Sequence, residues 1–325
     1  MSSIIGKVSA RTRISTAKQS GGRPPAAVEI STEGVLAAAR PATGKRGGRA
    51  EQGDAYVYAF VPLPASALVS RLEEPGAELH SLRAPEAVTA AIRSALDEVS
   101  PRTRAVTLVL PDTLVRVFVL DFDSLPAKPA EAIPVVRFRL RKTVPFDVEH
   151  AGVSYQVLTE SKTECKVLAA VVPGPILAEY EAAVRAAGYE PGAVLPSSLA
   201  ALEAAETMEA VLAANLSAMA MTTAIANGQD LLLYRTIELP EDPGQRAAEV
   251  QRSIAVAAAY YEDKLGARPR QLHYAGIKKA AEFARMIGDP ELSVVEWTPH
   301  PESGATTSLP QTSFAGVAGA LAGAG

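Results

Sequence analysis

The chain has 325 residues, with 32 lysines and arginines against 36 aspartates and glutamates, a formal charge of -4 and a single cysteine. That length suits about two domains and buries a core without covalent staples, and lone Cys165 excludes a disulfide framework. The four histidines (His80, His150, His273, His300) lie far apart without metal-site spacing and read as surface or loop residues, and Cys165 reads as a half-buried strand residue rather than a nucleophile.

Residues 1–25 carry Lys7, Arg11, Arg13, Lys18 and Arg23 without an acid, and read as a flexible basic tail. Val28 and Ile30 open a first strand, Gly34 marks a turn, and 35–39 (VLAAA) form a second strand. The Gly-rich basic run 40–54 reads as a hairpin loop, and 55–64 (AYVYAFVPLP) alternates as a third strand. Without interleaved aromatics, the basic runs do not read as a nucleic-acid groove. A helix is predicted over 85–99, with Pro85 at its first position and Val88, Ala91, Ile92, Ala95, Leu96 and Val99 in one stripe.

Two strands, 105–111 and 114–122, follow around the Pro111-Asp112-Thr113 turn. A helix over 130–142 turns Ile133, Val136 and Leu140 inward. It places Arg137 and Arg141 on one face, either as a solvated surface or as a cationic rim beside a partner groove. Val144-Pro145-Phe146 stops it. Strands at 152–158 and 165–172, a helix at 175–187 capped by Gly188, and a helix at 197–208 come next. Strands at 216–226 and 230–239 flank the Asn227-Gly228 turn. Helix 246–265, strand 271–276, a short helix capped by Gly288, strand 293–297 and a small-residue helix at 313–323 complete the chain. Hairpins followed by helices occur twice, which predicts a duplicated α/β fold with an insertion. No stretch reaches the about 18 apolar residues of a membrane span; Leu212 to Ala226 is broken by Asn215, Ser217, Thr222 and Thr223. The N-terminus lacks the apolar core of a signal peptide.

At 131–158 (EAIPVVRFRLRKTVPFDVEHAGVSYQVL) the chain resembles the PilM family of type IV pilus assembly proteins. Glu131-Ala132-Ile133, Val144-Pro145-Phe146 and Tyr155-Gln156-Val157 stand where the family has Glu-Ala-Ile, Ile/Val-Pro-Phe and Tyr-Gln-Val, and Ser154 replaces the usual aspartate. The likeness is specific over 105–205 and loose elsewhere. It implies a two-lobed actin-like fold, a duplicated RNase H-like architecture related to FtsA and to the cytoplasmic part of GspL. Its divisions would be a first lobe of 26–100 with 187–209, an inserted subdomain of 101–186 and a second lobe of 210–325. The resemblance implies a partner, the short cytoplasmic N-terminus of a PilN-like membrane protein. Through it the chain would reach PilO and the pilus motor, remaining cytoplasmic and peripheral at the inner membrane. Arg137, Arg141, Pro145 and Phe146 are the candidate partner-binding residues.

The resemblance also implies ATP with magnesium between the lobes, but the phosphate loops have departed from the family pattern. The family's Gly-Ile-Asp-Ile-Gly-Ser-Ser-Ser-Val-Lys aligns with residues 27–36, so Glu29, Ser31 and Leu36 stand where aspartate, glycine and lysine are usual. Backbone amides wrap phosphate best where glycine allows close approach and a cation sits nearby. In the second loop Asn215-Leu216-Ser217 replaces Asp-Ile-Gly, losing a magnesium-holding carboxylate. After Arg235 the paired glycines give way to residues carrying Glu238, Glu241 and Asp242, while the adenosine-side glycines survive as Ala275-Gly276-Ile277. Glu29, Ser31, Thr32, Asn215, Ser217 and Gly276 therefore mark a degenerate nucleotide pocket, with no metal site and no catalytic residue expected. The stretch 43–48 (TGKRGG) lacks the upstream glycine and the strand–helix frame of a Walker loop. The expectation is a peptide-binding scaffold without ATP hydrolysis. The alternatives are an actin-like ATPase of the same machinery and a type II secretion component, against which the missing GspL membrane helix counts.

Overall fold

The computed structural model describes residues 23–40, 56–69, 80–161, 163–203, 209–228, 230–297 and 313–322. The predicted tail up to residue 22, the 41–54 part of the hairpin loop with the Walker-like stretch, the helix extension over 204–208 and His300 lie outside these residues. Among the described residues, no helix is long and apolar enough to cross a membrane.

Two five-stranded sheets repeat one plan. In the first, β1 (Ala26–Ile30) and β2 (Gly34–Ala39) form an antiparallel hairpin, and β3 (Val57–Pro62) extends it beyond β2. On the other side β4 (Ala105–Leu110) runs parallel to β1, and β8 (Glu190–Pro196) runs parallel to β4. The second sheet repeats this with β9 (Ala210–Leu216), β10 (Ala220–Asn227), β11 (Asp230–Glu238), β12 (Gln271–Gly276) and β13 (Ser293–Glu296). Its hairpin is β9–β10, β11 lies outside β10, and β12 and β13 are parallel on the far side. The duplication expected from the element order is therefore present strand for strand. The stretch 210–216 is a strand of its own, turning through 217–219 into β10, where the sequence predicted one strand starting at 216. β8 also went unpredicted: Pro191 and Gly192 mask its pattern, and a parallel partner, β4, supplies its order.

Between the lobes lies a three-stranded sheet of β5 (Arg116–Phe122), β7 (Cys165–Val172) and β6 (Gly152–Glu160), with β7 central. β4 and β5 thus belong to different sheets, joined by a short 3-10 turn at Asp112–Leu114. One face of the small sheet packs on α2 (Pro129–Leu140) through Val136, Leu140, Val153, Ala169 and Val171. Through Leu168 and its neighbours it joins the cluster of Leu199, Leu202, Val211 and Ala224 on the second-lobe side.

Six boundaries and placements move. β4 is hydrogen-bonded into the first sheet, and α3 (Gly174–Ala186) buries Ile176, Tyr180 and Val184 in the first-lobe core beside α1 (Pro85–Val99). The inserted unit therefore narrows to β5 through β7. α7 (Ala315–Ala322), placed by chain order in the second lobe, packs instead on the first sheet. Phe314, Val317, Ala320 and Leu321 meet Ala27, Leu36, Val109 and Leu195 there. The small residues of α7 permit this approach, because a Cβ at Gly319 would overlap the carbonyl oxygen of Ala200 on α4 (Ser197–Glu203). Arg23, read as tail, is buried and ion-paired with buried Glu203. His273, expected at the surface or in a loop, is a half-buried residue of β12 edge-on to Trp297, and burial lowers its pKa. Cys165 is buried more completely than expected, at 1 % exposure, and burial raises its thiol pKa.

The helices form where the sequence predicts them. α1 buries all six residues of its expected stripe. α5 (Pro243–Leu265) starts at Asp242, whose carboxylate accepts from the Gln245 amide at 2.9 Å, and ends at Gly266 with φ +70. Asp242, one of the acidic residues after Arg235, thus caps this helix. α6 (Ala280–Ile287) closes at Gly288.

Candidate functional site

In open α/β sheets, ligands collect outside the carboxyl ends of parallel strands. Here β1, β4 and β8 end together, as do β9 and β12, and the two sets of ends face one another across a cleft. Glu29, Ser31, Thr32, Asn215 and Ser217 all line this cleft, and Gly276 adjoins it through Ile277. The structure thus brings five of the six predicted pocket residues together at the cleft. A Cβ at Gly276 would lie 2.6 Å from the Leu216 carbonyl oxygen, so glycine there permits the tight junction of β12 with β9.

The two turns entering the cleft are built alike. Ser31 Oγ donates to the Gly34 carbonyl at 3.1 Å, and the Ser31 amide reaches the same oxygen at 2.9 Å. In the second lobe Ser217 Oγ donates to the Ala220 carbonyl at 3.1 Å and accepts from the Ala220 amide at 3.0 Å, while the Ser217 amide reaches that carbonyl at 2.9 Å. Each serine closes its own turn, using amides that an anion would need. Thr32 Oγ1 donates to the Glu33 carboxylate at 3.0 Å.

Deeper in the cleft, Ser197 Oγ donates to Glu29 Oε1 at 2.6 Å and accepts from Asn215 Nδ2 at 3.2 Å. Asn215 Nδ2 also reaches Ser198 Oγ at 3.0 Å. Glu29 Oε2 is buried without a hydrogen-bond partner among the described residues, against Gly316 of α7. Burial, with smaller contributions from Asp112 and Glu33, pushes the Glu29 carboxyl up to about 7, while the Ser197 bond pulls it down.

Asp112 is the hub the sequence did not reveal. Its carboxylate accepts from the Ser198 amide at 2.9 Å, from Ser198 Oγ, from Thr222 Oγ1 at 3.1 Å and from Tyr234 OH at 2.9 Å. Burial raises its pKa and the four donors oppose that. Its signal in the sequence was its place, two residues past a strand that ends at the cleft. Ser197, Ser198, Thr222 and Tyr234 carried no motif.

A magnesium nucleotide does not fit these residues. The cleft encloses about 60 Å³, room for a few waters, whereas ligand pockets span roughly 300–1,000 Å³. Its described lining offers Glu29, Glu33 and Asp112 and no lysine or arginine. No group of three His, Cys, Asp or Glu side chains that could hold a metal occurs among the described residues.

The four predicted partner-binding residues lie together at the end of α2. The Arg137 guanidinium donates to the Val148 and Glu149 carbonyls, and Arg141 pairs with the Glu149 carboxylate. Both arginines fasten the 147–149 loop to the helix. Phe146 packs toward the apolar cluster under α2, while Pro145 is exposed. The protruding apolar side chains are instead Phe138, 64 % exposed, and Val135, 37 % exposed. The sequence hid Phe138 between Arg137 and Arg139.

The duplicated sheets, the interlobe cleft and the inserted subdomain define a two-lobed actin-like α/β fold. A chain of the PilM–PilN type IV pilus biogenesis complex shares it at a TM-score of 0.63 and 17% identity, covering 91% of this chain and 96% of that one. The cytoplasmic domain of EpsL, an inner-membrane component of the type II secretion system of Vibrio cholerae, is similar at 0.48 and 15% identity, over 91% and 92% of the two chains. A Bacteroides thetaiotaomicron protein with an actin-like ATPase fold follows at 0.47 and 12% identity, over 83% and 90%. No family model and no curated protein matches the chain.

Proposed function

We infer that this chain is a non-hydrolytic scaffold of a type IV pilus inner-membrane platform, gripping the cytoplasmic N-terminal peptide of a PilN-like membrane protein. The observation that carries this reading is the shared fold over nearly the full length of both chains with a protein of the PilM–PilN complex. The chain then works in the cytoplasm and meets the membrane, PilO and the motor only through its partner. The inserted subdomain supplies the grip: α2 carries Phe138 and Val135 outward, beside exposed Pro145 and the basic end of the helix. An extended peptide would seat apolar side chains there and add main-chain bonds to a sheet edge.

The test is a pull-down by an immobilised PilN-like N-terminal peptide, comparing the native chain with Phe138→Glu. Phe138 touches solvent over most of its surface, so folding is spared. Capture by the native chain and at least tenfold weaker capture by the variant support the reading. Equal capture removes α2 from the interface, and no capture of the native chain overturns the partner.

A further inference from the structure

The cleft that does not fit a nucleotide is filled by the protein's own bonds, and these cross from one lobe to the other. We propose that Asp112 is an interlobe latch: bonded to Ser198 on one side and to Thr222 and Tyr234 on the other, it fixes the two lobes in one closed arrangement without a nucleotide.

Three observations meet here. The first is the saturation of the carboxylate. A carboxylate has about four lone-pair sites, and Asp112 fills them with four donors from the Ser198 backbone, the Ser198 side chain, β10 and β11. Neither oxygen is left for a metal or a ligand. The second is reach. Ser198 opens α4 behind the first sheet, whereas Thr222 and Tyr234 belong to the second, so one side chain spans the junction.

The third is support on both flanks. Asn215 of β9 ties the hydroxyls of Ser197 and Ser198 from the second lobe, and Thr222 is bonded in turn to Thr236 at 2.9 Å. Beside this network, Leu199 and Leu202 of α4 pack with Val211, Ala213 and Ala224 of the second sheet. That apolar contact covers the flank of the network away from the cleft, and hydrogen bonds in a low-dielectric setting hold more strongly. Isolated polar side chains would leave the lobes free to part. A connected, saturated set with an apolar flank does not.

The latch involves no residue of α2, so it stands apart from the peptide-binding reading. The test uses the full chain with Tyr234→Phe, Thr222→Val and the pair together, which remove donors and keep shape. Amide hydrogen exchange is followed at the cleft walls, Ser197–Glu203 and Ala220–Asn227, with Pro85–Val99 in the separate first-lobe core as the remote reference; X-ray scattering reports the radius of gyration. The latch predicts about tenfold faster exchange at both walls per donor removed, an unchanged reference and a larger radius for the double variant. Unchanged exchange at the walls overturns it. So does an equal rise at all three segments, which would make Asp112 an ordinary core contact. Peptide capture by the double variant at the native level separates this outcome from any failure of the scaffold reading.

Discussion

The two lobes enter the cleft with the same turn and different chemistry. Ser31 and Ser217 close their turns by the same bonds to the residue three positions on, and each is preceded two residues earlier by a polar side chain aimed at Ser197. In the first lobe that side chain is Glu29, which accepts one bond and buries a second oxygen unpartnered beneath α7. In the second it is Asn215, whose amide nitrogen reaches two hydroxyls. The comparison teaches that a duplicated backbone can keep its turn geometry while one half carries an ionisable group and the other a neutral tie. The serine between them lets one bridge the other.

The comparison is broken most severely at α7, the helix that packs chiefly on the first lobe's sheet. Gly319→Val drives two methyls and a Cβ into the Ala200 carbonyl, and unfolding by urea should show a loss above about 3 kcal/mol. A loss below 1 kcal/mol would mean that α7 does not press on α4. Glu29→Gln sharpens the comparison by giving both lobes an amide.

The native carboxyl, at about 7 folded against 4.5 unfolded, holds its proton more tightly when folded. Its contribution is full below about pH 4.5 and is lost as pH rises through 7, a fall of up to about 3 kcal/mol. Glu203, which burial also raises to about 7, adds a similar slope. The difference between the native and Glu29→Gln stability curves therefore isolates Glu29: the variant gains on the native chain between pH 4.5 and 7. Parallel curves would show that Glu29 ionises as freely as in the unfolded chain. The smallest effect on stability belongs to Phe138→Glu, within about 0.5 kcal/mol, even though capture of the peptide should fall.

Much of the fold was legible because its elements obey local rules. Pro85 and a six-residue stripe marked α1, Gly188 and Gly288 ended their helices, and two hairpins announced two lobes. The cleft's polar residues were legible only through the resemblance to the family's phosphate loops, and the second turn, 217–219, was read as part of a strand. What escaped depends on distant partners. Asp112 meets Ser198 and Tyr234 from 86 and 122 positions away, and no periodicity encodes that. Arg137 and Arg141 looked like a free cationic face because helical spacing aligns them, but Glu149 and two carbonyls lie beyond the helix end, where spacing says nothing. α7 carries small residues all round, so its sequence shows no face and could not say which sheet it covers.

The central claim is that the cleft is closed by protein and serves no nucleotide. It is tested most directly by the melting temperature of the native chain during titration with ATP and magnesium. A ligand at a hundredfold its Kd adds about 2.7 kcal/mol to stability, which moves the transition by several degrees. The account predicts a flat melting temperature up to millimolar MgATP. A rise that saturates at micromolar nucleotide would contradict it.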